Sequence, residues 1–88
     1  MKSDKRSRLA SGYVKCKSLM EEGGASIESL GRVEEMMLAS IRTLHFLWDA
    51  NADKSMDYVL ESILRQMAFI ASESIGGDRD KIYIEMIR

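Results

Sequence analysis

Two long stretches of this chain repeat their apolar residues with the period of a helix. Between Ile27 and Asp49, Leu30, Val33, Met37, Ile41, Leu44, Leu47 and Trp48 fall on one side when wound at about 100° per residue. Met36, Leu38 and Ile27 widen that side to roughly 200°, well beyond the ≳100° stripe of an ordinary surface helix. Such a helix needs cover from two directions. Residues 54–75 carry a second, narrower sector of roughly 140°, built from Met56, Val59, Leu60, Ile63, Leu64, Met67, Ile70 and Ala71.

The punctuation around these stretches fits. Ser26 is a good helix cap, and Glu28 sits in the first turn, where the helix dipole favours an acid. Asp49-Ala50-Asn51-Ala52-Asp53 interrupts the pattern with turn residues, and Asp53 or Ser55 is placed to cap the next helix. A link this short makes the two helices antiparallel neighbours. Gly76-Gly77 closes the second one.

The flanking segments are weaker. Leu9, Tyr13, Cys16 and Met20 recur at spacings of four, three and four, which predicts a short helix over 8–22 with a narrow apolar edge. Ser7 is its candidate cap, Gly23-Gly24 its stop, and Gly12 costs it about 1 kcal/mol relative to Ala. Residues 1–7 read as a flexible basic arm. At the other end, Ile82, Met86 and Ile87 fit a helix over 79–87 capped by Asp78. Ile82, Ile84 and Met86 fit an alternating strand as well, and the helical surroundings favour the helix. The expected fold is therefore all-α. One helical domain over 8–88 contains an antiparallel hairpin, a short N-terminal helix and a short C-terminal element.

Size adds a constraint. A chain of 88 residues buries only about 60–65% of its unfolded surface, and small domains compensate with disulfides, a metal or association. Cys16 is the only cysteine and His45 the only histidine, which rules out an internal disulfide and ordinary Cys/His zinc sites. Association remains, and a two-fold homodimer is its commonest closed form. In that reading two hairpins share a four-helix core made of Leu30, Val33, Met37, Ile41, Leu44, Trp48, Ile63, Met67 and Ile70. No apolar run is long enough to cross a membrane, the charged start lacks a signal-peptide core, and the thiol is unpaired. A cytoplasmic setting is expected, with no cofactor.

Charge is uneven. Residues 1–20 hold six bases (Lys2, Lys5, Arg6, Arg8, Lys15 and Lys17) against Asp4, a net +5, whereas the rest holds seven bases and thirteen acids, a net −6. The six bases are candidate phosphate contacts, although no nucleic-acid reader motif accompanies them and the acidic body repels a phosphate backbone. Docking of the arm on its own body is the competing use.

Other candidates have plain readings beside them. His45 lies one turn from Trp48 with no acid or serine arranged to make it a catalytic base, so the edge of a core is its simpler role. Cys16 lies between Lys15 and Lys17, which would activate it, but it also lies on the apolar stripe, which would bury it. Asp49, Asn51 and Asp53 imitate the opening of a calcium loop. Lys54 then stands where that loop needs glycine and Leu60 where it needs glutamate.

Three aromatics leave the apolar sectors: Phe46, Tyr58 and Phe69. With Arg42 and Arg65 they are the candidate partner-binding residues, since interfaces favour aromatics, Met and Arg. Isolated exposed hydrophobes are also common. The functional expectation is a small non-enzymatic regulator or inhibitor of the kind bacteria and phages encode. It would act by protein–protein contact as a helical homodimer. The alternative is a dimeric nucleic-acid binder using the basic arm.

Overall fold

The computed structural model describes residues 5–88, which form four helices: α1 (Lys5–Glu22), α2 (Ile27–Asp49), α3 (Asp53–Ile75) and α4 (Arg79–Ile87). Among the described residues there is no strand. A short turn separates α2 from α3, and the ambiguous tail is a helix. Ser26 caps α2 by accepting from the Ser29 amide at 3.1 Å. Asp78 caps α4 in the same way, accepting from the Asp80 amide at 2.9 Å. Gly76 ends α3 with a left-handed φ of 73°, a conformation that costs glycine nothing.

Two local expectations need correcting. At the start of α3 the cap position belongs to Ala52, with no side-chain cap bond, and Asp53 is already the first helical residue. Asn51 accounts for the shift. It takes a positive φ of 55°, which Asn tolerates better than most residues, so the chain reverses one residue early. In α1, helix begins at Lys5, so Lys5, Arg6 and Ser7 belong to a helix and not to a flexible arm. Bases in a first turn oppose the helix dipole. Here tertiary contacts offset that cost: Lys5 Nζ lies 3.4 Å from Asp57 Oδ1, and the Arg6 guanidinium sits 5.1 Å from the Trp48 ring centre. The remainder of the expected arm, residues 1–4, lies outside the described residues.

The larger correction concerns the core. α1 and α3 pack together as the central pair, α2 covers one side of them, α4 covers the other, and α2 and α4 do not meet. Leu9, Cys16 and Met20 of α1 are fully enclosed, together with Met56, Leu60 and Met67 of α3, Leu44 of α2 and Met86 of α4. Each such side chain contributes about 1.5–3 kcal/mol by leaving water. One chain thus supplies all four helices of its own core. Val33, Leu44, Met67 and Ile70, assigned to a shared dimer core, are already buried inside it; Leu30, Met37 and Ile63 are half-buried; Ile41 and Trp48 remain exposed.

Glycines set how closely α1 can approach. A Cβ on Gly12 would fall 2.6 Å from Leu64 Cδ2, so the residue that weakens α1 as a helix also lets it lie flush on α3. Gly23 does the same at the end of α1, where a Cβ would come within 2.7 Å of Ile75 Cγ2 and 2.9 Å of Ile75 Cβ. The Ile75 atoms are branched and near the backbone, so they yield less readily than the tip of a leucine. Replacing Gly23 by Ala is therefore expected to destabilise the fold by about 1–3 kcal/mol through overpacking. Urea denaturation would show this as a lower midpoint at an unchanged slope.

Candidate functional site

The exposed apolar residues fall into two groups on different helices. One group is on the outer face of α3. Tyr58, Ser62, Arg65 and Phe69 follow one another at spacings of four, three and four, so they form a single stripe pointing away from the core. Tyr58 is 76% exposed and Phe69 45%. Beside this stripe α4 raises Tyr83, Arg79 and Asp80, which with Ser62, Arg65, Gln66 and Phe69 line an open cleft of about 530 Å³.

The cleft is organised by Arg65. Its guanidinium stacks 4.2 Å from the centre of the Tyr83 ring, and its Nε donates to Glu61 Oε2 at 3.0 Å. Glu61 lies one turn earlier on the same helix and holds the guanidinium above its ordinary range. Because arginine is charged at any physiological pH, the pairing fixes its position and not its charge. Two features here escaped the sequence reading: the contribution of Arg79 and Tyr83, and the 4.2 Å stack. The spacing of Glu61 and Arg65 was a legible signal of a paired arginine. The placement of α4 was not legible.

The second group is on α2. Ile27 (89% exposed), Leu38 (60%), Ile41 (42%) and Trp48 (39%) lie along an exposed flank of the helix. Phe46 is 71% exposed on yet another side, with Arg42 also exposed. Of the five residues expected to bind a partner, Tyr58, Arg65 and Phe69 therefore share one face, while Phe46 and Arg42 stand on a separate helix.

The basic residues are largely spoken for. Arg8 Nη1 joins Lys5 at Asp57 Oδ1, at 3.9 Å, and Lys15 Nζ donates to the Arg88 carbonyl oxygen at 3.0 Å. With Arg6 on Trp48, four of the six bases dock on the body of the same chain, Lys17 is half-buried, and Lys2 lies outside the described residues. This is the self-docking use of the basic segment.

His45 Nε2 lies 3.5 Å from Asp49 Oδ2 on the exposed surface of α2, so the histidine stands outside the core and not at its edge. Cys16 is buried as its apolar stripe implies, with its Sγ 3.6 Å from the Met67 carbonyl oxygen and 3.9 Å from Met20 Sδ. Among the described residues, no group of three His, Cys, Asp or Glu side chains is placed to hold a metal ion, and no helix is long and apolar enough to cross a membrane. No family model matches the chain, and comparisons with curated proteins and with solved structures also returned no match.

Burial pushes the Cys16 thiol up to about 11 from an ordinary value of 9.0. Two pH units correspond to about 100-fold less thiolate, and thiolate is the reactive form. Alkylation by a maleimide at pH 8 is thus expected to run at least about 100-fold slower in the native protein than in urea. Fast native labelling would show that the α1–α3 seam opens. The same shift makes Cys16 favour the folded state below pH 9, a contribution lost as pH rises from 9 through 11.

Proposed function

We infer that this chain is a small regulator or inhibitor that acts by protein–protein contact, without turnover, as a helical homodimer. The observation that carries the reading is the exposed apolar surface of α2 and α3. A chain whose core is already filled keeps Ile27, Leu38, Phe46, Trp48, Tyr58 and Phe69 between 39% and 89% exposed. Contiguous apolar patches on soluble chains tend to mark interaction sites, because water contact there costs free energy that a partner recovers.

The two exposed groups suit two kinds of contact. The flank of α2 carries the aliphatic Ile27, Leu38 and Ile41, which suits self-association. The outer face of α3 combines the aromatics Tyr58 and Phe69 with a positioned arginine, the composition that carries most energy in protein recognition. Phe46 is a further exposed aromatic, on a separate face of α2. A buried, unpaired Cys16 suits the reducing conditions of a cytoplasm. The nucleic-acid reading has less support, since Lys5, Arg6, Arg8 and Lys15 contact the chain itself.

Two measurements test this. Light scattering at micromolar concentration is expected to give about twice the 10.0 kDa chain mass, because two-fold pairs are the commonest association. Monomer mass throughout removes the dimer. Capture from an extract of the native host, with Phe46→Ala and Tyr58→Ala as comparisons, is expected to lose its protein partner in both variants while their helical spectra stay unchanged. Retention of the same proteins by all three forms would overturn the contact surface. Binding of labelled DNA that falls steeply with salt would favour the nucleic-acid role instead.

A further inference from the structure

The exposed flank of α2 repeats every seven residues. Ile27, Glu34, Ile41 and Trp48 are successive positions of that repeat, and Leu38 lies beside them at the centre of the helix. Three of these four positions are apolar and the fourth is Glu34, and a seven-residue spacing is that of a seam between two helices that supercoil around each other. Arg6 of α1 sits over Trp48 at one end of this flank, 5.1 Å from the ring centre. Otherwise α1 and α3 pack on the face of α2 where Val33, Ser40 and Leu44 are buried, and among the described residues α4 does not meet α2.

We propose that a second copy of this chain covers the seam, with its α2 running antiparallel about a two-fold axis at Leu38. The inference rests on the homodimer reading above and assigns its interface. Charge selects the direction. Glu34, itself a position of the repeat, and Arg42 stand four residues before and four after Leu38, and among the described residues neither has an ion-pair partner.

An antiparallel pair centred on Leu38 sets Glu34 of each copy against Arg42 of the other, twice. It also sets Leu38 on Leu38 and brings Ile27 near Trp48 of the second copy. A parallel pair would set Glu34 on Glu34 and Arg42 on Arg42, which repels. The interface is self-complementary, as a two-fold contact must be. Arg42, expected from the sequence to serve an outside partner, is taken by the second copy. Tyr58, Phe69 and Phe46 point elsewhere and stay free for one.

Cysteine cross-linking tests the arrangement, because buried Cys16 contributes no background. A short bismaleimide spans the 8–10 Å or so between packed helices. At concentrations giving dimer mass, Leu38→Cys is expected to cross-link to itself. Ile27→Cys is expected to fail with itself and to succeed when mixed with Trp48→Cys. Self-linking of Ile27→Cys would overturn the antiparallel direction. Dimer mass without any link through Leu38→Cys would overturn pairing by α2 and leave the homodimer reading intact, whereas monomer mass would remove both.

A charge exchange gives a second readout. Arg42→Glu and Glu34→Arg are each expected to weaken association at least about tenfold in low salt, and the double variant to restore most of it. A double variant no better than the single ones would sink the register.

Discussion

The seating of α1 on α3 is the constraint from which the rest follows. Gly12 brings the two helices close enough for Leu64 to lie where a side chain would otherwise be, and Leu9, Cys16 and Met20 then lose all contact with water. With that pair formed, two sides are left for other helices, and α2 and α4 take one each. The chain has thereby completed a core without a second subunit. What it has not done is cover α2 on both sides, because a helix laid on the flank of a pair is covered only on its inner face.

That geometry divides α2 along its length. Val33, Ser40 and Leu44 point inward, and Ser40 stays satisfied there by donating to the Met36 carbonyl oxygen at 2.6 Å. A hydroxyl on the inner face costs little when it bonds back to its own helix, and its small size suits the approach of the neighbouring helices. Ile27, Leu38 and Ile41 point outward and remain wet. The apolar excess of α2 is thus a matter of two faces with different fates, one closed by the chain itself and one left open.

How much of this was legible follows from what periodicity can and cannot carry. The limits of α2, the hairpin turn, the Ser26 and Asp78 caps and the Gly76 stop are all local, and local chemistry determines them. The start of α1 was not legible, because the groups that Lys5 and Arg6 meet, Asp57 and Trp48, lie more than 40 residues away. The fate of each apolar residue was half legible. Periodicity put Val33, Leu44, Ile41 and Trp48 on one broad sector, but which part of the sector meets α1 and α3 depends on the packing of helices. The cleft beside Phe69 was legible only as a pair, Glu61 with Arg65. Its other wall depends on where α4 comes to rest.

The open flank and the aromatic stripe differ in kind, and the difference bears on how such a small chain could work. Ile27, Leu38 and Ile41 are aliphatic and lack polar handles, so they favour a partner with the same pattern, and the most available one is another copy. Phe69 borders a positioned arginine and polar groups of α4, with Tyr58 further along the same stripe, a composition that would let a partner be told apart by hydrogen bonds and stacking as well as by area. If both faces are used as proposed, their separation would let association and recognition proceed without competing for the same residues. A dimer formed through α2 would also present the outer face of α3 twice. Two linked copies of one recognition surface bind a repeated or symmetric target more tightly than one copy does, with no new contact required.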